Sequence, residues 1–282
     1  MGRLGILAKT FATVANRLQS VFLPKSGRVS VSFGDQLNRP PIDGRIPSNI
    51  YQTGASRAVT PAQLEDMMRF REINDDMNFI FLDDEEMHTY METFWSNDPV
   101  FSVFQKSVFP QMKADIFRYC IIYDQGGFYC DINKGIFTNL GSFCSDETGF
   151  VLSFESNECI VFPDMEVASL LQHPTKVVIQ WAFGATSGHP ILKSIIKEIP
   201  KIASFIEGVR VHNVKEAVLM TTGPGVFTRV VRQHIAAEGV ADIRQVGVDF
   251  DGTGRHRLAG TKPSASAARA HYAKAGSRVI IR

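Results

Sequence analysis

Hydrophobic and polar positions follow two alternating patterns between residues 45 and 132. Short apolar runs that end at glycine or acidic residues predict buried strands, whereas longer segments with apolar positions three or four apart predict helices. Thr60 followed by Pro61 is typical of a helix start. Alternating strands and helices predict parallel βαβ units. The predicted elements are strands at 45–54, 77–84 and 128–132, and helices at 61–73, 85–95 and 110–126.

The second half of the chain has a more mixed pattern. Two apolar runs, GFVLSFES at 149–156 and CIVFP at 159–163, predict strands and are consistent with a hairpin. Helices are predicted at 191–206 and 226–238, and the terminal SRVIIR, 277–282, is typical of a strand. The sequence therefore predicts an α/β fold with a mixed central sheet flanked by helices.

The first 40 residues have a different character from the rest. Apolar positions spaced as on one helix face predict an amphipathic helix over residues 1–23, and the polar stretch from 25 to 41 predicts a linker. Two interpretations of this helix stay open: it docks against the domain, or it lies in a membrane interface. We therefore predict a helix and linker at 1–40 and one domain at 41–282. The helical stripe consists of Leu4, Leu7, Phe11, Val14, Leu18, and Val21 or Phe22.

Composition narrows the class of protein. The 282 residues are 44% hydrophobic, which is ordinary for a soluble domain with a sizeable core. The charges nearly balance, with 30 Lys and Arg against 29 Asp and Glu, so nucleic acid is not expected as a partner. The apolar runs are too short for a membrane span, and the four cysteines form no C-x-x-C pair for zinc. We expect a cytoplasmic protein that can rest on the inner membrane face.

Two charged residues interrupt the predicted helix 110–126. This helix is apolar on all sides, which is typical of a buried helix, yet it contains Asp115 and Arg118 at i and i+3. Burying charges is costly unless they pair or meet a ligand. The sequence leaves both interpretations open: an internal ion pair, or side chains that contact a bound sugar or phosphate.

Asp131 and Asn133 follow the next apolar run. In an extended chain, residues two apart face the same side, so both oxygen-bearing side chains are predicted to point outward together. Such a pair suits Mg²⁺ or Mn²⁺ at the carboxyl end of a strand, where ligands bind in parallel sheets. The alternative is an aspartate that only caps a turn.

The segment KADIFRYCIIYDQGGFYCDIN, 113–133, resembles the signature of glycosyltransferase family 32, the Asp-x-Asp sugar transferases. This family includes fungal initiating mannosyltransferases and bacterial capsule and lipopolysaccharide enzymes, and the segment is also similar to one in the large clostridial glucosylating toxins. Weaker similarity covers IPSNIYQTG at 46–54, QWAFGATSGHPIL at 180–192, TTGPGVFTRVV at 221–231 and HYAKAGS at 271–277. The residues that match the signature are Ala114, Asp115, Arg118, Tyr119, Tyr123, Gly126, Gly127, Tyr129 and Asp131.

The resemblance implies a nucleotide-diphospho-sugar transferase fold of the GT-A type and a retaining transfer of sugar from a UDP- or GDP-sugar to a glycan or lipid-linked acceptor. It implies roles in polysaccharide, capsule or lipopolysaccharide synthesis. As catalytic residues it implies Asp115, which orients the sugar, together with Arg118 and Asp131. The implied ligands of Mn²⁺ or Mg²⁺ are Asp131, Asn133 and His271. The implied donor-binding residues are Gln52, Thr53, Asp115, Arg118 and Tyr129.

Three departures from the family pattern favour an alternative function. Asn133 replaces the second acid of Asp-x-Asp, and Gly54 and Arg278 replace the tryptophans of the first strand and of the closing motif. A neutral amide is a weaker metal ligand than a carboxylate. The alternative is a degenerate, non-catalytic protein that binds a sugar nucleotide or carbohydrate. A dinucleotide-dependent oxidoreductase is disfavoured, because the glycine-rich DGTGRHRLAG, 251–260, does not join a predicted strand to a predicted helix.

Overall fold

The computed structural model describes residues 18–22, 29–33, 45–158, 163–255, 272 and 275–282. In this part of the chain a seven-stranded mixed sheet is flanked by helices. The strands are β1 (Leu18–Phe22), β2 (Val29–Phe33), β3 (Asn49–Gly54), β4 (Ala58–Val59), β5 (Asn78–Asp83), β6 (Gly127–Cys130), β7 (Gly135–Ile136), β8 (Phe150–Glu158), β9 (Lys176–Val178), β10 (Ala182–Ala185), β11 (Arg210–Val211), β12 (Ile243–Val248), β13 (Gly254–Arg255) and β14 (Arg278–Val279). The helices are α1 (Pro61–Ile73), α2 (Asp84–Trp95), α3 (Pro99–Lys106), α4 (Pro110–Gln125), α5 (Met165–Leu170), α6 (Pro190–Ile206), α7 (Val214–Thr221) and α8 (Pro224–Glu238), with a 3-10 turn at Leu140–Phe143.

The central sheet has the order β12-β8-β10-β6-β3-β5, and β9 pairs with β8. Strand β3 runs parallel to both β5 and β6, as the alternating first half predicted. Strand β10 is antiparallel to β6 and β8, whereas β12 is parallel to β8, so the mixed second half is also confirmed. Because β3, β5 and β6 are parallel neighbours, their carboxyl ends lie at one edge of the sheet.

Local capping signals account for the helix starts in the first half. The Thr60 side chain accepts a hydrogen bond from the Gln63 N–H at 3.1 Å, which confirms the predicted cap of α1. Asp83 forms a capping box with Glu86 at the start of α2. The sequence prediction missed α3, although Asp98 caps it and Pro99 occupies its first turn.

Two glycines allow α4 to turn directly into β6. Gly126 ends the helix with φ +63°, and Gly127 follows with φ +100°, a region that L-residues with side chains rarely adopt. A Cβ at Gly127 would lie 2.6 Å from the Asn49 carbonyl oxygen. The pair of glycines therefore permits both the reversal of the chain and the close approach of β6 to β3.

The predicted strand 128–132 is too long. Strand β6 ends at Cys130, and the chain then forms a turn in which the Lys134 N–H donates to the Asp131 carbonyl at 3.0 Å. The Asp131 N–H is bonded to the Trp181 carbonyl at 2.8 Å, just before β10. The expected extended geometry of Asp131 and Asn133 is therefore wrong, because the tight turn removes the two-residue alternation that the prediction needed.

The amino-terminal predictions are also wrong where the structure describes them. Residues 18–22 form β1 rather than the end of a helix, and 29–33 form β2 within the predicted linker. β1 and β2 pair antiparallel, and β2 also pairs with β4. The alternation in VSVSF has a period of two, and Val29 and Val31 are 2% and 1% exposed, so burial of this face favours a strand. The rest of the predicted helix and linker lies outside the described residues.

The predictions for the second half of the chain are partly confirmed. Helices α6 and α8 confirm the predictions at 191–206 and 226–238, whereas α5 and α7 were not predicted. The antiparallel partner of β8 is β9, and residues 159–162 of the predicted hairpin partner lie outside the described residues. Within the described segments, every helix is too short or too polar to cross a bilayer.

Candidate donor site

The charged pair of α4 forms an ion pair inside the protein. Arg118 Nη2 lies 3.1 Å from Asp115 Oδ1, and their side chains are only 6% and 10% exposed. The helix is buried as predicted, with Met112, Ile116 and Phe117 completely inaccessible to solvent. The internal ion pair that the sequence left open therefore exists, and it lies where α4 faces β6 and the segment before β10.

Asp131 joins this pair from the carboxyl end of β6. Its Oδ1 lies 3.2 Å from the same Arg118 Nη2, and its side chain is 25% exposed. Two carboxylates thus share one guanidinium, with Asp131 as the member nearest solvent. When both acids are ionised, the cluster carries a net charge of −1.

The remaining contacts of Arg118 hold the guanidinium in place. Nη1 donates to the Gln180 carbonyl at 3.1 Å, Nε donates to the Ala114 carbonyl at 3.4 Å, and Cζ lies 4.5 Å from the centroid of the Tyr129 ring. Burial by itself lowers the pKa of Arg118, but Asp131, Tyr129 and Asp115 raise it above its ordinary value. Arg118 is therefore a permanent cation whose position is set by three segments of the chain.

Asp115 accepts further hydrogen bonds from two distant segments. Gln180 Nε2 donates to Oδ1 at 3.1 Å, and Thr222 Oγ1 donates to Oδ2 at 3.0 Å. Burial raises the pKa of Asp115 to about 6, although Arg118 and these two donors favour its charged form. The carboxylate is therefore mostly ionised at pH 7. The sequence prediction missed Gln180 and Thr222 as site residues, although both lie in the segments that resemble the family.

The predicted donor-binding residues of β3 face opposite sides of the sheet. The Thr53 hydroxyl lies 3.0 Å from the Tyr129 hydroxyl, which places Thr53 beside the ion cluster. Gln52 is 3% exposed and, by the alternation of the strand, points to the other face. A Cβ on Gly54, where the family has tryptophan, would lie 2.9 Å from Cζ of Phe81. A side chain at position 54 would therefore require the Phe81 ring to move.

The proposed metal ligands are only partly brought together. Asn133 is exposed on the turn that follows β6, next to Asp131, and His271 lies outside the described residues. Among the residues that the structure covers, no three His, Cys, Asp or Glu side chains cluster as metal ligands would. The oxygens available at this turn are the Asp131 carboxylate and the Asn133 amide. Both are hard donors that suit Mg²⁺ or Mn²⁺.

Two other residues of the segment 180–192 have structural roles. His189 Nδ1 accepts from the Ile191 N–H at 3.3 Å and Nε2 bonds Asp242 at 3.2 Å, so this histidine caps α6. Burial lowers the pKa of His189, which favours the neutral imidazole that this cap requires. Trp181 is 5% exposed and packs on Phe250 in the core.

A cleft of about 440 Å³ opens where α4 begins. Its charged lining residues include Asp84 at the start of α2, Lys113 on α4 and Arg278 on β14. Helix α4 starts there without a side-chain cap or an acid in its first turn, so its N-terminal partial charge is not offset. The Phe109 ring lines this cleft, and its centroid lies 6.3 Å from that of the Tyr272 ring. Tyr272 in turn lies within electrostatic reach of Asp115, Arg118 and Asp131.

The ion cluster and the turn after β6 lie in a segment that matches a known protein family. Residues 62–150 match the glycosyltransferase sugar-binding region containing a DXD motif. This part of the chain is therefore similar to the sugar-binding region of the DXD glycosyltransferases. This match confirms the predicted resemblance, and the mixed sheet flanked by helices confirms the predicted α/β fold. Asp131, Ile132 and Asn133 lie within the matched residues, where the resemblance implies the DXD motif with an amide in place of the second acid.

Two curated proteins that are similar to this chain are named as mannosyltransferases. It is 25% identical over 210 residues to the initiation-specific alpha-1,6-mannosyltransferase of Schizosaccharomyces pombe, which covers 69% of this chain and 50% of that protein. It is 24% identical over 213 residues to the Candida albicans protein of the same name, which covers 67% and 53%. The chain thus spans about half the length of the curated relatives it matches. Among solved structures, the PaToxG glycosyltransferase is similar at 16% identity, with a TM-score of 0.49 and coverage of 68% of this chain and 71% of that one.

Proposed function

We propose that this protein transfers a hexose from a nucleoside-diphosphate sugar to a hydroxyl group of a glycan or lipid-linked acceptor. In this reaction the bond between the anomeric carbon and the diphosphate oxygen breaks, and the nucleoside diphosphate leaves. The acceptor oxygen forms the new bond to the anomeric carbon and loses its proton to solvent. The observation that carries the proposal is the shared ion cluster of Asp115, Arg118 and Asp131 at the carboxyl end of β6.

Asp115 has the free acceptor capacity that a sugar hydroxyl requires. A carboxylate offers about four acceptor sites. Described residues occupy three of them: Arg118 and Gln180 on Oδ1, and Thr222 on Oδ2. One site on Oδ2 is left for a donor-sugar hydroxyl, which matches the role that the resemblance implies for Asp115. Arg118 then acts mainly by holding both carboxylates, because four of its contacts are made within the protein.

The charge of the cluster explains why a divalent cation would be needed. With two acids and one arginine, the cluster is net negative and repels a diphosphate. Asp131 and Asn133 would hold the cation, since their oxygens are hard donors that reach solvent. When bound there, the cation would offset the charge of the leaving nucleoside diphosphate. Mn²⁺ and Mg²⁺ both suit this set of oxygens.

The nucleoside diphosphate would bind in the cleft where α4 begins. The cleft at the start of α4 contains Lys113 and Arg278, and Arg278 stands where the family has its closing tryptophan. Burial lowers the pKa of Lys113, although Asp84 in the same cleft raises it, so a bound phosphate would further favour the charged ammonium. Parallel sheets bind ligands beyond their carboxyl ends, which is the position of this cleft relative to β5.

Turnover of the donor in the absence of acceptor tests this function. We expect the full chain to hydrolyse at least one of a panel of UDP- and GDP-hexoses when Mn²⁺ or Mg²⁺ is added, and to lose this activity with EDTA. Nucleoside diphosphate release is the direct measurement. Absence of hydrolysis across the panel, with and without a glycan acceptor, would reject the enzyme.

The second candidate is a non-catalytic sugar-nucleotide or carbohydrate-binding protein. The neutral Asn133, exposed in the position of a DXD acid, favours it. Calorimetry with the same panel distinguishes the two: metal-dependent binding without release of nucleoside diphosphate supports the binding protein, whereas release supports the transferase.

Restoring the second acid should strengthen the metal site. Asn133→Asp is expected to tighten Mn²⁺ binding by about tenfold, because ligand charge sets affinity for hard cations. Asn133 is exposed, so the change should leave the thermal midpoint of unfolding nearly unaltered. Calorimetric titration with Mn²⁺ measures the shift. Asn157→Asp, at an exposed position on β8, is the matched control, and equal effects in both variants would contradict a metal site at the turn.

A further inference from the structure

Asp115 is held from both sides by groups that are distant in sequence. Gln180, just before β10, donates to Oδ1, and Thr222, between α7 and α8, donates to Oδ2. Gln180 and Thr222 are 5% and 0% exposed, so neither donor is in contact with bulk water. Burying an amide and a hydroxyl is unfavourable unless both are hydrogen-bonded, and here both are directed at one carboxylate.

Gln180 and Thr222 also hydrogen-bond to each other, and Gln180 hydrogen-bonds to the Arg118 guanidinium. Gln180 Nε2 also lies 2.6 Å from the Tyr119 hydroxyl and 3.2 Å from the Thr222 carbonyl oxygen. The Tyr119 hydroxyl donates to that carbonyl at 2.8 Å. The Gln180 carbonyl accepts from Arg118 Nη1 at 3.1 Å, so Gln180 touches both members of the α4 ion pair.

This closed arrangement leaves the carboxylate little freedom to rotate. Each Asp115 oxygen has a fixed donor from a different segment, in addition to Arg118 on Oδ1. Site residues need to be held within about 10–20° of their productive orientation, and supporting hydrogen bonds provide that precision. Rotation of the carboxylate would break at least one of these bonds and would redirect its unused acceptor site.

We propose that Gln180 and Thr222 are positioning residues of the donor site, which orient Asp115 so that its unused acceptor site meets a hydroxyl of the donor sugar. This inference rests on the proposed function. Neither residue contacts the sugar in this arrangement; both act through Asp115. Their effect should therefore appear in kcat, because contacts with the sugar strengthen as its ring approaches the transition state. KM should change little, since neither substitution alters the cleft proposed for the nucleotide.

Adjacent threonines provide a matched pair of variants. Thr222→Val removes the hydroxyl that bonds Asp115 and keeps the side-chain shape. Thr221→Val is the control: Thr221 is 1% exposed, but its hydroxyl donates at 2.6 Å to the Ala217 carbonyl in α7. We expect Thr222→Val to lower kcat of donor hydrolysis by about 10–100-fold, in line with loss of a hydrogen bond to a charged group. KM should stay within about threefold, since ground-state binding is retained.

Two further variants separate positioning from folding. Thr222→Ser keeps the hydroxyl and should retain kcat within about threefold of the wild type, because the bond to Asp115 is preserved. In an Asp115→Asn background, Thr222→Val should change kcat by less than about threefold, since residues that act through one another are not additive. Gln180→Met, of similar length, should reproduce the fall in kcat; it serves as the test variant if Thr222→Val does not fold.

The outcomes are distinct. Equal kcat values for Thr222→Val and Thr221→Val, in a wild-type protein that hydrolyses the donor, would overturn the positioning roles and leave the proposed function standing. Full additivity of Thr222→Val with Asp115→Asn would also overturn them. A wild-type protein that releases no nucleoside diphosphate from any donor would reject the proposed function and this inference with it.

Discussion

Asp131→Asn is expected to lower metal-supported donor hydrolysis by roughly 10²–10³-fold, the loss typical when one group that stabilises developing charge is removed. The substitution keeps the shape of the side chain and one oxygen that can accept from Arg118 Nη2. In the wild-type protein this nitrogen lies 3.2 Å from Asp131 Oδ1. It removes the negative charge that would hold the cation. The rate of nucleoside diphosphate release at saturating donor, measured across a Mn²⁺ titration, is the readout.

The fold should tolerate this change. Asp131 is the most exposed member of the cluster, at 25%, and its backbone bond to Trp181 does not depend on the side chain. Asp146→Asn is the matched control, because Asp146 is 90% exposed and its 3.5 Å pair with Arg45 is on the surface. Unaltered hydrolysis and an unaltered Mn²⁺ requirement in Asp131→Asn would refute the assignment of this carboxylate to the metal.

Arg118→Met is expected to have the largest effect on stability, a loss of about 3–5 kcal/mol in the free energy of unfolding. The guanidinium is the cation shared by Asp115 and Asp131, and its side chain is only 6% exposed. Without it, Asp115 remains buried with two neutral donors, and the Gln180 carbonyl loses its Nη1 donor. Urea unfolding monitored by circular dichroism measures the loss.

A double variant tests whether the loss of stability in Arg118→Met comes from leaving the Asp115 carboxylate buried without its cation. Asp115→Asn combined with Arg118→Met should be more stable than the sum of the single effects predicts, with a coupling of roughly 0.5–3 kcal/mol. Arg229→Met provides the control, because its 3.0 Å pair with Glu198 is partly exposed and should contribute less than about 1 kcal/mol. Strict additivity, or a loss in Arg118→Met no greater than in Arg229→Met, would show that the buried cluster is not stabilised by ion pairing.

Local sequence patterns were sufficient for much of the framework. Spacing and backbone preference among neighbouring residues predict the alternating strands and helices of the first half and the Thr60 cap. They also predict the buried helix α4 and the chain reversal at the two glycines after it. The same segment placed Asp115, Arg118 and Asp131 as partners, since their spacings follow the family signature. The amino-terminal region was misread because a helical stripe and a strand can share the same apolar residues when the deciding contact, with β4, is distant.

The sequence by itself determined that an acid and an arginine would be buried on one helix and that another acid would follow a buried strand, because these depend on local periodicity. The family resemblance implied that the three lie together. Only the tertiary structure decided which groups complete the site. Gln180 and Thr222 lie 65 and 107 residues from Asp115, and no local pattern signals a hydrogen bond across that separation. The turn at Asp131 was likewise decided by pairing with the segment before β10. Long-range packing sets these contacts, since side chains from separate elements meet only after the sheet has assembled.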